Sequence, residues 1–210
     1  MPTLSMDEAL AQMKTAKENS AVAVCMRPLE GERNVAGPYF YPLYEQAASL
    51  DMSIALHIAN GNPAYCELYW PSPQDRFAIF RVPTVVSCFT LLMSELPALF
   101  PTLRWEFIEA SAQWIPWVHS EAAIRYKMAG RKFPEDIFHE YNIFVTCQTN
   151  DDLSYILKFA GHCVVIGTDY RHTDPSSEVD TIAVFREQTG ISQEAKDRIL
   201  HYNPKALDNL

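Results

Sequence analysis

The chain has 210 residues, of which 48% are hydrophobic and 20% are charged, a composition typical of a globular protein with ample apolar material for a core. Its formal net charge of −9 disfavours a nucleic acid as a partner, because binding to phosphates requires clustered lysine and arginine side chains. No run of about 18 apolar residues predicts a membrane span, and the amino terminus lacks the pattern of a secretory signal.

The five cysteines stand at unrelated spacings and form no Cys-x-x-Cys pair. The sequence therefore predicts neither a zinc knuckle nor a thioredoxin-like redox site. Three of the cysteines (Cys25, Cys147 and Cys163) lie within apolar runs, where a cysteine behaves as a small hydrophobic residue. We expect a reducing, cytoplasmic setting.

Apolar runs and helical segments alternate along the chain. The first helix is predicted from Met6 to about Asn19, with Ser5 as its N-cap. Strands are predicted at Ala21–Met26, Met52–His57, Leu103–Glu109, Ile143–Cys147 and Cys163–Ile166. Further helices are predicted at Leu43–Leu50, Val82–Leu99 (interrupted near Pro97), Ser111–Met128, Asp151–Phe159 (capped by Asn150), Glu178–Gln188 and Ser192–Tyr202.

Two connections are predicted to be loops. The segment from Leu29 to Gly37 is polar, and the segment from Ala64 to Arg81 is long, aromatic and rich in proline. Loops of the second kind are often lids or binding loops. Because each of the five strands is followed by a helix, without a break in composition, we expect one α/β domain over residues 1–210, built of βαβ units on a parallel sheet.

A candidate functional loop follows the last predicted strand. The apolar run from Cys163 breaks at Gly167 and leads to Asp169 and His172 in a polar segment. The carboxyl end of a parallel strand is where an α/β barrel carries its catalytic groups. The alternative is that Asp169 caps the helix that follows Pro175.

Several segments together resemble a known family. They are Arg27-Pro28 with Tyr41–Glu45, Ile54–His57 with Gly61, Pro101–Pro116, Ile166–His172 and the closing Ile199–Leu207. In this order they resemble the amidohydrolase-related ("amidohydrolase 2") family, which includes aminocarboxymuconate-semialdehyde decarboxylase and related metal-dependent hydrolases and decarboxylases. The resemblance covers nearly the whole chain. It implies a partial TIM (β/α)₈ barrel, with strands four to eight and their helices, because five units are too few to close a barrel.

The resemblance also implies a metal site at the carboxyl ends of the strands. The family's complete pattern has a His-x-His pair on strand one, a His on strand five, a His or Glu on strand six and an Asp on strand eight. His57 falls at the strand-five position, Glu109 at strand six and Asp169 at strand eight, and Glu109 departs from the His of the decarboxylase branch. No His-x-His occurs in the 210 residues, so strands one to three are expected to be missing.

His57 and Asp169 are therefore the expected metal ligands. Zinc suits a mixed nitrogen and oxygen set and is the first expectation, with iron or manganese as alternatives. Glu109, Asp169 and His172 are the expected catalytic residues, with Glu109 as the candidate acid or base. The alternatives are that His57 is a core histidine, that Glu109 pairs with an arginine such as Arg27, and that His172 is a surface loop residue.

Three further residues are expected to bind the substrate. Arg27 could hold a carboxylate in bidentate geometry, or it could pair with Glu109 or Glu30. Asn60 follows the strand that ends at His57. Trp114 could line a pocket for an aromatic substrate together with Trp70, or it could pack in the core.

An incomplete barrel has two open sheet edges, which invite association unless they are covered. We therefore expect a homo- or hetero-oligomer, in which a second subunit could supply the His-x-His ligands. The alternative is that the chain is a truncated part of a longer enzyme. The main functional hypothesis is a metal-dependent hydrolase of C–N or C–O bonds, or a decarboxylase, that acts on a small carboxylate or aromatic substrate. The alternative is a non-catalytic subunit that stabilises or regulates a complete paralogue.

Overall fold

The apolar runs of the sequence form parallel strands, which the computed structural model describes together with their helices over residues 1–69, 77–172 and 177–210. The described strands are β1 (Ala23–Met26), β2 (Leu29–Glu30), β3 (Arg33–Asn34), β4 (Ser53–His57), β5 (Asn60–Gly61), β6 (Trp105–Ile108), β7 (Ile143–Cys147) and β8 (Val164–Ile166). The main sheet has the order β1-β4-β6-β7-β8, and all its pairings are parallel. The prediction of an α/β fold on a parallel sheet is therefore confirmed.

Helices connect these strands. The described α-helices are α1 (Met6–Glu18), α2 (Tyr41–Ser49), α3 (Pro63–Tyr69), α4 (Val82–Met93), α5 (Leu96–Leu99), α6 (Ile115–Met128), α7 (Ile137–Glu140), α8 (Leu153–Ala160), α9 (Thr181–Glu187), α10 (Gln193–Asp197) and α11 (Asn203–Asp208). One turn of 3₁₀ helix (Pro38–Phe40) and two π-helical segments (Phe77–Arg81 and Arg198–Tyr202) complete the description. No helix among these residues is long and apolar enough to cross a membrane.

The two faces of the sheet differ in what covers them. Successive side chains of a strand point to opposite faces, and in β6 the buried Trp105 and Phe107 belong to the large core beneath the helices. Glu106 and Ile108 alternate with them and are half-buried on the other face. On that second face a small cluster of Phe144, Val165 and Leu207 forms where α11 packs against the sheet.

Helix α11 also covers part of an open edge. Within the described residues, β8 pairs only with β7, which leaves its other side without a strand partner. Asn203 is buried and donates its Nδ2 hydrogen to the carbonyl oxygen of Val164 at 2.7 Å. Arg104 Nε donates to the carbonyl oxygen of Leu207 at 2.6 Å and attaches the same helix to the start of β6. The last helix thus satisfies a polar group of β8 that a neighbouring strand would otherwise satisfy.

Several connections differ from the predictions. The predicted polar loop at Leu29–Gly37 contains β2 and β3, which form a three-stranded sheet with β5. The predicted loop at Ala64–Arg81 contains α3 and a π-helical segment. Short strands and single helical turns have too few residues for a clear hydrophobic period, so the sequence did not indicate them. Trp70 and Pro175 lie outside the described residues.

Several helix boundaries also differ: the helix predicted from Ser111 begins at Ile115, and the helix predicted from Glu178 begins at Thr181. Asp152 rather than Asn150 caps α8, because its side chain accepts a hydrogen bond from the Tyr155 N–H at 3.2 Å. The interruption predicted near Pro97 in the helix over Val82–Leu99 is confirmed, since α4 ends at Met93 and α5 begins at Leu96 with Pro97 in its first turn. Ser94 stands in this gap, with its hydroxyl bonded to the carbonyl oxygen of Leu91, which competes with helix continuation.

The cysteines are all free. Cys88, Cys147 and Cys163 are buried, whereas Cys25 on the edge strand β1 is exposed. Burial raises the pKa of the Cys163 and Cys147 thiols. Both are therefore neutral near pH 7 and behave as small apolar groups.

Candidate active site

The predicted site residues follow the carboxyl ends of neighbouring strands. His57 is the last residue of β4, Glu109 follows β6 directly, and Asp169 comes three residues after β8. Because all these strands are parallel, their carboxyl ends meet at one edge of the sheet. The topology therefore brings together side chains that are 52 and 60 residues apart in the sequence.

His57 and Glu109 are in direct contact. His57 Nε2 lies 2.7 Å from Glu109 Oε2, and His57 Nδ1 lies 2.9 Å from the carbonyl oxygen of Ile58. A carbonyl oxygen can only accept, so Nδ1 carries a hydrogen. The contact at Nε2 places the imidazole within hydrogen-bond distance of the Glu109 carboxyl group at the carboxyl edge of the sheet.

His172 contacts both acidic side chains. Its Nδ1 lies 3.2 Å from Asp169 Oδ1 and 3.5 Å from Glu109 Oε1. The negative charge of Asp169, with a smaller contribution from Glu109, raises the pKa of His172. The structure thus unites all three predicted catalytic residues in one cluster with His57. Asp169 does not cap the following helix, since α9 begins at Thr181 with Asp180 at its N-cap.

Glu109 is held in an unusual backbone conformation. Its φ angle is +69°, in the left-handed region that a residue with a side chain seldom adopts. The Glu109 N–H donates to Thr146 Oγ1 at 2.8 Å, and that hydroxyl donates to the carbonyl oxygen of Phe107 at 3.3 Å. Such a conformation costs on the order of 1–3 kcal/mol and persists only where the surroundings enforce it. Its position beside three titratable side chains agrees with a functional role.

A buried carboxylate holds the loops that carry the site. Asp151 accepts hydrogen bonds from Ser111 Oγ at 2.5 Å, from the Ala112 N–H at 2.9 Å and from the Gln148 N–H at 2.8 Å. The first two donors follow β6 and the third follows β7. Asp151 therefore ties together two loops at the same edge of the sheet.

A cavity of about 120 Å³ lies at this edge. His57, Glu109 and Asp169 line it, and the other lining residues are Ile108, Thr146, Cys147, Gln148, Gly167 and Thr168. These residues lie at the ends of four neighbouring strands, β4, β6, β7 and β8, and include two carboxylates, an imidazole and an amide. This is the arrangement of an α/β active site.

The donor set suits a divalent metal ion. Glu109, Asp169 and His172 each offer one ligand atom, and these three atoms lie within 4.8 Å of one another. Two carboxylates and an imidazole are ligands that Mn²⁺, Fe²⁺ and Zn²⁺ accept. His57, which the sequence predicted as a ligand, is adjacent through its contact with Glu109, and its own role in metal binding stays a prediction.

The three predicted substrate-binding residues lie elsewhere or are only partly described. Arg27 Nη2 donates to Glu30 Oε2 at 2.8 Å. Of the two ion-pair partners considered from the sequence, Glu109 and Glu30, the structure therefore shows Glu30. Trp114 belongs to the core and packs edge-on against Phe107, with ring centroids 6.1 Å apart. Asn60 begins β5, and its side chain is outside the description. Arg27 and Trp114 do not line the cavity at His57.

Two residues of interest were missed by the sequence analysis. Gln148 lines the cavity with a buried side chain, but a glutamine after an apolar strand has no distinctive pattern. Glu106 alternates with buried aromatic residues in β6, and burial, with a further contribution from Asp208, raises its pKa to about 7. The alternation could have indicated that Glu106 lies on the second face of the sheet. It could not have indicated what packs there.

Comparisons with known proteins support the fold. Neither a protein-family model nor a curated protein matches the sequence. Solved structures do match. An amidohydrolase from Mycobacterium avium subsp. paratuberculosis is 15% identical with a TM-score of 0.79, and the match covers 96% of this chain and 54% of that one. This chain therefore spans about half the length of that structure.

Two decarboxylases are also similar. The 2,6-dihydroxybenzoate decarboxylase from Rhizobium is 19% identical with a TM-score of 0.75, over 100% of this chain and 69% of that one. A dihydroxybenzoic acid decarboxylase from Polaromonas, solved with bound manganese and the inhibitor 2-nitroresorcinol, is 20% identical with a TM-score of 0.71, over 96% of this chain and 65% of that one. The chain thus has the fold of a partial TIM barrel with strands four to eight and their helices, and its resemblance to the amidohydrolase-related family is confirmed as a likeness of fold.

Proposed function

We propose that the cluster of His57, Glu109, Asp169 and His172 belongs to the active site of a metal-dependent decarboxylase or hydrolase that acts on a small aromatic carboxylate. The observation that carries this proposal is the convergence of two carboxylates and two imidazoles at the carboxyl ends of parallel strands, beside a cavity. The similar structures include a decarboxylase of a dihydroxybenzoic acid, which supports the substrate class.

Glu109, Asp169 and His172 would hold the metal ion, and such an ion supplies Lewis-acid polarisation of a substrate oxygen. Manganese is the favoured ion for two reasons. Two of the three ligands are carboxylates, which suit manganese, and the similar decarboxylase from Polaromonas contains manganese. The sequence alone favoured zinc, and that preference has no support beyond the presence of an imidazole.

His57 and Glu109 would move the proton that the reaction needs. In a decarboxylation, the bond between the ring carbon and the carboxylate breaks, its electron pair stays on the ring carbon, and carbon dioxide leaves. That carbon must then gain a proton, which the hydrogen-bonded His57–Glu109 pair can supply. In a hydrolysis, the same pair with one proton fewer would accept a proton from water.

We also propose that three further parallel strands, in a partner or in another part of a longer chain, complete the barrel between β1 and β8. Within the described residues β1 pairs in the main sheet only with β4, and β8 only with β7. The match covers only 54%, 69% and 65% of the three similar structures, which therefore contain further segments. Light scattering on the purified chain is expected to show an oligomer, and a monodisperse monomer would contradict association through these edges.

The test of the metal site is a titration of the purified 210-residue chain with Mn²⁺, in which electron paramagnetic resonance measures the concentration of free ion. We expect Glu109→Gln and Asp169→Asn each to weaken binding at least about tenfold, because each removes a charged ligand. His201→Ala is the matched control, since His201 is an exposed histidine on the π-helical segment before α11. Binding that is absent, or equal in all four proteins, would favour the alternative of a non-catalytic subunit.

A further inference from the structure

Gln148 brings a buried amide group to the cavity wall. It follows β7, has 6% of its surface exposed and lines the cavity with His57, Glu109 and Asp169. Its backbone N–H donates to Asp151 Oδ2 at 2.8 Å, so the residue is attached to the carboxylate that holds the neighbouring loop. Its position at the cavity is therefore fixed by the backbone and does not depend on the side chain.

The side chain of Gln148 has a donor that the described residues do not satisfy. Its Nε2 is buried and has no hydrogen bond partner within the parts of the chain that the structure describes. Buried polar groups in folded proteins nearly always have a partner, and an exception calls for an explanation. Gln148 lines the cavity and its backbone is already anchored, so a rotation of its side chain brings the buried Nε2 to a partner that enters the cavity.

The chemistry of the cavity indicates what that partner is. An N–H group needs an acceptor, which in a small organic ligand is an oxygen atom. Glu109 and Asp169 supply negative charge to the same cavity, so an anionic ligand would be repelled unless a cation and neutral donors offset that charge. A neutral amide can donate to such an oxygen without competing for a metal ion.

We propose that Gln148 Nε2 donates a hydrogen bond to an oxygen of the bound aromatic acid and thereby selects ligands that carry an acceptor at that position. This inference rests on the proposed function, because it assumes that a ligand occupies the cavity beside the metal site. Gln148 is a specificity-determining residue, while Glu109, Asp169 and His172 hold the ion.

Two variants separate this role from a structural one. Gln148→Met keeps the length and approximate volume of the side chain and removes the donor. Gln148→Glu keeps the shape and replaces the donor by an acceptor. Because the amide is buried without a partner, Gln148→Met is expected to leave the urea midpoint of unfolding unchanged or to raise it. A structural amide would give the opposite result. Gln193→Leu is the control, since Gln193 is exposed in α10.

The experiment is a calorimetric titration in which 2,6-dihydroxybenzoate is added to the 210-residue chain saturated with Mn²⁺. A hydrogen bond to a charged group contributes enough that Gln148→Met should weaken binding by roughly 10- to 100-fold, and Gln148→Glu by more. The Mn²⁺ affinity of Gln148→Met should stay within about twofold of that of the original chain. Gln193→Leu should match the original chain in both titrations.

The outcomes distinguish the two proposals. If the original chain binds no Mn²⁺, the proposed function fails and this inference fails with it. If Mn²⁺ binds but the acid does not, or if the acid binds equally to Gln148→Met and to the original chain, the role of Gln148 is overturned while the metal site stands. If Gln148→Met does not fold, equal binding of the acid by Gln148→Glu overturns the inference in the same way.

Discussion

Asp151 is the residue whose removal should most disturb the loops of the candidate site. It is 8% exposed, and its two oxygens accept from one hydroxyl and two backbone N–H groups. Those donors belong to Ser111, Ala112 and Gln148, which lie on the loops after β6 and β7. Replacing Asp151 by alanine would leave all three donors without this partner.

The expected cost follows from the number of bonds. A hydrogen bond to a charged group contributes roughly 1.5–3 kcal/mol, and a buried donor left unsatisfied costs about 1–3 kcal/mol. The Ser111 hydroxyl can rotate towards another acceptor, whereas the two N–H groups cannot. These terms are not additive for one residue, so we expect Asp151→Ala to lower the free energy of unfolding by about 3–5 kcal/mol.

Asparagine provides the matched comparison. In Asp151→Asn, the amide oxygen can take the place of Asp151 Oδ2 and still accept hydrogen bonds from the Ala112 and Gln148 N–H groups. Its Nδ2 can then donate to Ser111 Oγ, which also accepts from the Gln113 N–H at 3.1 Å. All three hydrogen-bond contacts of residue 151 are kept and only the charge is lost. Asp151→Asn is therefore expected to lower the free energy of unfolding by only about 1–2 kcal/mol.

Urea unfolding followed by tryptophan fluorescence measures both costs. Asp180→Ala is the control, because Asp180 stands at the N-cap of α9 without a side-chain capping bond, and it should change stability by less than about 0.5 kcal/mol. A loss of under about 1 kcal/mol for Asp151→Ala would refute the reasoning. Equal losses for the alanine and asparagine variants would also refute it, since the number of satisfied donors would then be irrelevant.

Two further predictions concern the sheet itself. Glu106 has a pKa raised from 4.5 to about 7 in the folded chain, so the folded state holds its proton more tightly than the unfolded state and stability should fall as pH rises from about 4.5 to 7. Glu106→Gln should remove this contribution, so the variant should gain up to about 3 kcal/mol over the original chain at pH 8 and little at pH 4; a pH-independent difference in urea titrations would contradict this. Gly167→Ala would place a Cβ atom 3.3 Å from Thr146 Cβ, beside the hydroxyl that holds Glu109. It should cost about 1–2 kcal/mol by overpacking and weaken Mn²⁺ binding, and unchanged values for both would contradict the tight contact.

The five strands of the main sheet were predictable because each is a mostly apolar run bounded by polar or turn residues. β7 was predicted with the boundaries that the structure shows, Ile143–Cys147. Strands β2, β3 and β5 were missed because they contain two residues each, and their pairing depends on segments that lie far apart in the sequence. Helix α3 was missed for a related reason, since its seven residues include none that is buried, so they show no apolar stripe.

The sequence by itself determined the five strands of the main sheet, the longer helices between them, and the position of His57, Glu109 and Asp169 at strand ends. It could do so because apolar periodicity is a local property and because parallel strands share one carboxyl edge. Only the tertiary structure decided that His172 contacts both carboxylates, that Arg27 pairs with Glu30 and that Trp114 packs against Phe107. These contacts depend on which side chains the turns and the helix packing bring within a few ångströms of each other. The local pattern of apolar and polar residues carries no information about distances between segments that are far apart in the sequence.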